Sequence, residues 1–334
     1  MSVPVASDKA DEQRHGNWLI LGSAVMFACS TSLATMAHAN GALPIWFVIL
    51  GRSFVVTVWA ALALIWVRVS PVQSIRVGFR GLVFIRATLN AIGHNVLLFV
   101  TMRGVQLGLA TVLYFTTPIF SFVAGYALLR ERVSCRDTMA ALMAILGVVL
   151  IAQPDMLFVG DHDAPETWYA ILCLGAAFSS AGGMVAMRRL TTINFLPIVL
   201  VSGLIGILAS IIPCVFPPWP KGKTVTRALL YVAGAGTTTF AELSLLNAGL
   251  QIVPAGRCAV LRVFTAVVSF ILQCTVQDGL TPDVFSVLGV GIVSGAICLV
   301  MSPEAVEAKP RPDKDEHMRL IRVNKSNDVE LPIL

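Results

Sequence analysis

Five charged residues lie inside ten apolar stretches that fill this 334-residue chain from Trp18 to Met301. Each stretch is about 20 residues long, enough at about 1.5 Å per residue to cross a hydrocarbon core of roughly 30 Å. A segment in lipid must satisfy its own backbone hydrogen bonds, and a helix does so. Arg52, Arg86, Glu242, Arg257 and Arg262 make insertion costly, and ionisable groups at that depth usually face a partner, a cavity or a solute path. The expectation is an all-α polytopic membrane protein that moves a solute. At 56% hydrophobic and 13% charged residues, the chain is far from a soluble domain, where about a quarter of residues are charged. Its net charge of +5 carries no nucleic-acid signal, because the basic residues are dispersed in short loops and tails without interleaved aromatics.

The spacing predicts ten transmembrane helices, over 17–37, 44–66, 81–100, 106–129, 135–152, 166–187, 194–216, 227–249, 254–276 and 282–301. Turn chemistry separates them: Asn40-Gly41, Ser70-Pro71, Gln153-Pro154-Asp155, Pro217-Pro218 and Asp278-Gly279. The first run, Trp18 to Ala37, exceeds the roughly 7–15 residues of a secretory signal core and reads as the first helix. Placing the N-terminus in the cytosol puts sixteen Lys and Arg on that side, with only Arg103, Lys221, Lys223 and Arg227 opposite. Both termini are therefore expected to be cytosolic, although the basic loop between the seventh and eighth spans dissents and nothing in the sequence explains it. Residues 1–16 and 302–334 read as polar, flexible cytosolic tails, the second keeping the Asn324-Lys325-Ser326 acceptor unmodified. Six of the seven cysteines fall in apolar spans, with no CxxC or Cys/His ligand spacing, so neither a metal nor a disulfide framework is expected, and no cofactor.

The two halves echo each other. Gly104, Gln106 and Ala110 recur as Gly249, Gln251 and Ala255, and the run Leu146 to Pro154 aligns with Gly295 to Pro303, with a looser echo of Phe27 in Phe178. A first five-helix unit over 17–153, a connecting loop over 154–165 and a second unit over 166–301 follow. Five is odd, so the second copy enters the membrane inverted; inverted repeats are a recurring plan of secondary transporters, with the solute site between them. The runs Ala110-Thr111-Val112 to Thr117-Pro118-Ile119-Phe120, Leu128-Leu129-Arg130-Glu131-Arg132 and Leu146 to Ile151 resemble the EamA repeat of the drug/metabolite transporter superfamily. Arg52, Arg86, the Thr-Pro-Ile-Phe run and the basic position Arg262 resemble the G branch of solute carrier family 35. The resemblance implies a 5+5 inverted arrangement of ten helices and solute transport; it leaves the cargo open among sugars, nucleotide sugars, amino acids, organic anions and drugs.

The buried charges then set the expected chemistry. Arg52 lies mid-span, either as a site residue or in a structural pair with Glu242. Arg86, Asn90 and His94 recur every four residues, on one helical face that lines a cavity, with snorkelling of Arg86 as the alternative. Arg262 lies deeper than Arg257, which is near enough to its helix end to snorkel. Thr265 and Gln273 add hydrogen-bonding capacity to the same span. Glu242 is either a counter-ion or a proton-coupling group, since a carboxylate taken out of water gains proton affinity, and His94 shares that candidacy. Four arginines against one glutamate leave a surplus of +3, which a bound anion relieves, and arginine's planar fork suits carboxylate or phosphate. The expected substrate site is Arg52, Arg86, Asn90, His94 and Arg262, with Pro118, Pro197 and Pro213 as hinges. Gly291 and Gly295 form a GxxxG face suited to packing or to a homodimer.

A secondary transporter of a small organic anion working by alternating access is thus the leading expectation. Neutral or zwitterionic solutes (amino acids, drugs) and nucleotide sugars are the alternatives within the same fold. The competing class, an integral-membrane enzyme, lacks HExxH, GxSG and a phosphate-cradling GxxxxGK[ST], and four of the five histidines fall outside the spans. Plasma membrane and endomembrane are both compatible with the sequence.

Overall fold

Each of the ten apolar stretches is helical in the computed structural model, which describes residues 6–39, 43–71, 74–75, 77–103, 107–131, 134–153, 166–215, 224–276 and 283–302. The first copy comprises α1 (Ala6–Ala39), α2 (Ile45–Val67), α3 (Arg80–Met102), the pair α4 (Leu107–Tyr114) and α5 (Thr117–Ala124), and α6 (Cys135–Ala152). The second comprises α7 (Glu166–Arg188), α8 (Phe195–Val215), α9 (Thr224–Ile252), the pair α10 (Ala255–Arg262) and α11 (Phe264–Val276), and α12 (Val284–Met301). Among the described residues nine spans are long and apolar enough to cross a membrane, each broken pair counting as one, and α8 supplies a tenth through Phe195–Ile211. No strand occurs among the described residues, and the chain is an all-α polytopic membrane protein. The connecting loop, the C-terminal tail from residue 303 with its glycosylation acceptor, Lys221 and Lys223 lie outside the described residues.

Three departures from the predicted spans have physical causes. Helix α1 begins at Ala6, eleven residues before the expected 17, so the N-terminal tail is helical from Ala6 rather than flexible, because Ala, Lys, Glu, Gln and Arg are sound helix formers that continue an apolar helix into water. The fourth span breaks at Phe115-Thr116, just before Pro118, whose missing N–H cannot continue the ladder; a π-helical turn over Gly125–Leu129 then ends it. The ninth span breaks at Val263 with neither Gly nor Pro to announce it; there the bonds tighten, Val263 N donating to Val260 O at 3.1 Å and Ala266 N to Val263 O at 2.9 Å. Shifting the Phe115-Thr116 break by the 145-residue repeat gives positions 260–261, two to three residues before Val263, so the two copies break their fourth helix at nearly corresponding places. Pro197 occupies the first turn of α8, where no intrahelical N–H bond is lost, and Pro213 lies near the end of that helix.

The packing repeats with the sequence. Helix α1 lies against α9 as α7 lies against α3, and α1 against α10 and α11 as α7 against α4 and α5. Likewise α9 meets α2 as α3 meets α8, while α2–α8 and α6–α12 pair each helix with its own counterpart, and the two broken spans meet through α5 and α10. Exchanging the copies therefore preserves most of these helix contacts, the mark of a two-fold-related pair. The echo of Phe27 in Phe178 does not carry over: Phe27 is buried and Phe178 is 64% exposed.

Close backbone approach is concentrated where α6 crosses α12. A Cβ built on Gly289 would stand 2.5 Å from Gly147 O, and one on Gly147 would stand 2.8 Å from Gly289 O. The GxxxG face read from the sequence is not what makes this crossing: Gly291 has nothing within 4 Å and Gly295 only Met143 Cε at 3.8 Å, both opening on an apolar groove with Val287 and Leu288. Gly289→Ala is expected to destabilise the purified protein by about 1–3 kcal/mol through overpacking, seen as a lowered Tm in detergent, whereas Gly291→Ala leaves Tm unchanged or slightly raised.

Candidate functional site

Spans two, three, eight and nine bring their charges to one buried place. Arg52 on α2 donates from Nη2 to Asn95 Oδ1 of α3 at 2.7 Å. Arg86 on α3 donates from Nη2 to Asn247 Oδ1 of α9 at 2.8 Å. Glu242 on α9, wholly buried, accepts from Arg262 Nη2 of α10 at 2.9 Å and lies 3.1 Å from His94 Nε2 of α3. Arg262 is the last residue of α10, so the break at Val263 sets its side chain at a helix end inside the membrane, where the free carbonyls favour a cation. Discontinuous helices of this kind frame the midplane sites of transporters.

The stripe Arg86, Asn90 and His94 is buried along one face of α3, yet its members turn to different places. Arg86 reaches α9. Asn90 and His94, with Arg52 and Asn95, line a small cavity of about 20 Å³, room for a single water. The Nε atoms of Arg52 and Arg86 are buried and find no hydrogen-bond partner among the described residues.

A larger cavity, about 440 Å³, lies beside this cluster, within the size range of small-molecule sites. Its lining is hydroxyl-rich and free of charged side chains among the described residues: Thr31, Ser32 and Thr35 of α1, Thr101 of α3, Thr111 and Tyr114 of α4, and Thr265, Ser269 and Gln273 of α11. Phe27 forms the partition. Its ring lines the cavity, meets His94 edge-on at 5.1 Å, lies under the Arg262 guanidinium at 5.0 Å and stacks near Tyr114 at 6.3 Å. Neither Arg52 nor Arg262 lines the larger cavity, and Arg262 is screened from it by one aromatic ring. Sequence reasoning missed Phe27 and most of the hydroxyl lining, because Ser, Thr and Phe are ordinary in membrane helices.

The ends of spans four, six, eight and nine are joined by a polar latch. Arg188, ending α7, donates from Nε to Glu131 Oε1 at 3.1 Å and from Nη1 to the carbonyls of Leu250 and Gln251 at 3.2 and 3.1 Å. The other Glu131 oxygen accepts from Ala255 N at 3.3 Å, placing a carboxylate on the N-terminus of α10. Gln251 Nε2 donates to Ile193 O at 2.8 Å.

Arg257 stands apart from the cluster. Its Nη2 faces Asp137 Oδ1 and Oδ2 of α6 at 3.3 and 3.4 Å, both side chains being nearly buried. Asp137 lies in the first turn of α6, too near the helix start to count as intramembrane from the sequence. The surplus of three positive charges therefore falls to two: Arg52, Arg86 and Arg262 against Glu242.

Comparison with known proteins gives a consistent picture. The model of the EamA-like transporter family matches twice, over residues 14–153 and 167–302. Human solute carrier family 35 member G1 is 26% identical over 218 residues, 62% of this chain and 56% of that protein. Its mouse counterpart is 25% identical over 237 residues, 67% and 61%, so the chain spans less than two thirds of the length of these curated relatives. A solved crystal structure superposes with a TM-score of 0.66 at 19% identity, covering 84% of this chain and 94% of its own; it shares the fold.

Removing one member of the Arg257–Asp137 pair strands a buried charge. Arg257→Gln or Asp137→Asn alone is expected to cost about 3–5 kcal/mol, and the double variant markedly less than either. Thermal unfolding of the four proteins measures this; a loss in the double variant equal to the sum of the single losses refutes the pairing.

Proposed function

The chain belongs to the EamA-like transporter family, and we propose that it carries a small organic anion by alternating access between its two inverted copies. One observation carries the anionic cargo: a buried cluster in which three arginines share one glutamate, beside a cavity of about 440 Å³. Holding two uncompensated charges out of water is costly, and a carboxylate or phosphate in the cavity lowers that cost across the thickness of the Phe27 ring. When Phe27 swings aside, Arg262 becomes the group the anion meets, and its fork suits two oxygens at once.

The latch and the cavity supply the two ends of the cycle. With the termini cytosolic, as the Lys and Arg asymmetry supports, the Glu131–Arg188 latch closes the cytosolic side and the cavity faces away from it. Rocking of the copies then opens the latch and collapses the cavity. A neutral polar or zwitterionic cargo is the second reading, favoured by the absence of a charged side chain from the described cavity lining.

Purified protein screened by thermal shift against carboxylates, sugar phosphates, nucleotide sugars and amino acids, followed by uptake into sealed vesicles, tests both. An anion is expected to raise Tm and to accumulate, and Arg52→Gln and Arg262→Gln each to lower that uptake about tenfold or more, the worth of one charged hydrogen bond. Anion uptake left intact in both variants, or uptake confined to neutral solutes, overturns the anionic cargo. Product formed without net solute movement overturns transport itself.

A further inference from the structure

Hydrogen-bond chemistry at His94 requires one more proton than the separate side chains supply. Its Nδ1 lies 3.1 Å from the carbonyl oxygen of Asn90. Its Nε2 lies 3.1 and 3.3 Å from the two oxygens of Glu242. A carbonyl accepts only, an ionised carboxylate accepts only, and a neutral imidazole has a single N–H. Neutral His94 beside ionised Glu242 therefore leaves one of these contacts as lone pair against lone pair. His94 is 4% exposed and Glu242 wholly buried, so solvent does not relieve the conflict. One added proton does: imidazolium then donates from both nitrogens, or a carboxylic O–H of Glu242 donates to Nε2 while Nδ1–H donates to Asn90. These are two descriptions of one proton on one pair.

We infer that His94 and Glu242 form a proton-binding site that is loaded and emptied during transport. The inference rests on the transport proposed above and names its coupling. Three geometric facts support it. The pair crosses the boundary between the copies, His94 on α3 and Glu242 on α9, so a movement of one copy against the other makes or breaks it. Glu242 has a second cation ready, Arg262 at 2.9 Å, which keeps the carboxylate paired when the proton leaves. Phe27 packs edge-on against His94 and lines the cavity, so one ring separates the site from a route for the proton.

The surrounding charges set the sign of the coupling. Arg262 of α10 and Arg52 of α2 act on both members of the pair. Arg86 of α3 faces Glu242 and Arg262, with Tyr114 of α4 and Cys258 of α10 beside it. Three cations around one carboxylate disfavour a further positive charge, and an anion in the cavity offsets them. Anion and proton thus promote each other's binding, and by linkage the promotion is reciprocal. Symport of proton and anion follows; the proton enters and leaves unchanged, with no redox step.

The test is a titration of purified, vesicle-reconstituted protein from about pH 5 to about pH 9, the range in which histidine and neighbouring groups exchange protons. Infrared spectra of the carboxyl stretch and nitrogen-15 NMR of labelled imidazoles are read together. Expected is one joint protonation event, seen in both a carboxyl band and a ring signal, lost in Glu242→Gln and altered in His94→Asn. The wild-type measurement needs no variant, so misfolding of Glu242→Gln does not blunt the test. A His94 ring with one proton beside an ionised Glu242 throughout the range overturns the site, and so does a pair that keeps its extra proton throughout. The titration needs no cargo: an intact titration without uptake of any screened solute overturns transport alone, and uptake without titration overturns the proton site alone.

Discussion

Glu242 sets the terms for the interior of this protein. A carboxylate with no exposed surface is stable only where cations or donors reach it, and Arg262 and His94 do so from different copies of the repeat. The other two arginines of the cluster are held differently. Arg52 and Arg86 each donate to an asparagine oxygen, which satisfies part of the guanidinium's hydrogen bonding without cancelling its charge. The Arg257–Asp137 pair, by contrast, is neutral and lies at the latch end. Positive charge is thus cancelled where the bundle is shut and retained beside the cavity.

Symmetry of backbone and asymmetry of chemistry coexist here. Most helix contacts of one copy recur in the other, and both copies break their fourth helix at nearly corresponding positions. The polar cluster has no such symmetry: α3 contributes Arg86, Asn90 and His94, whereas its counterpart α9 contributes Glu242 and Asn247. Two of the cluster's bonds, Arg86 to Asn247 and His94 to Glu242, cross between the copies, while Arg52 to Asn95 and Arg262 to Glu242 stay within one. Relative movement of the copies therefore strains the first two and spares the others. In the proposed alternating-access cycle the scaffold supplies two related conformations, and the unequal chemistry gives them different charge environments.

The fold was legible because lipid enforces it. Twenty apolar residues have few other solutions in a bilayer, so span positions and the repeat were readable, and Pro118 carried a local reason for the break in the fourth span. Val263 did not, because the ninth span breaks without a residue that cannot continue a helix. The four-residue spacing of Arg86, Asn90 and His94 gave their shared face but not their partners, which depend on the crossing of α3 with α9. Gly291 and Gly295 have the spacing of a packing motif, yet Gly147 and Gly289 make the close crossing, since spacing does not say which face meets a neighbour. Asp137 escaped notice because depth in a membrane is set by the tilt of neighbouring helices as well as by distance from a helix start.

The absence of charge from the larger cavity's described lining is intelligible if that cavity must also disappear. A charged wall that closes on itself is desolvated at a cost of several kcal/mol per ion. A hydroxyl wall has an internal refuge. Thr31 donates to the carbonyls of Phe27 and Ala28 at 3.1 and 3.0 Å, Thr35 to Ser32 O at 2.8 Å and Thr101 to Leu98 O at 2.9 Å. Each remains satisfied by its own helix when no solute is present, and each retains lone pairs for a solute when the space is filled. The permanent charges then belong one layer behind, where Asn95 holds Arg52 and Glu242 holds Arg262 within a single copy whether the cavity is open or shut. Phe27 stands between the layers, apolar enough to seal the cluster and able to offer its ring face to Arg262. In the proposed cycle, a wall that can collapse is kept apart from a charge store that cannot, so that one interior attracts an ion and still closes behind it.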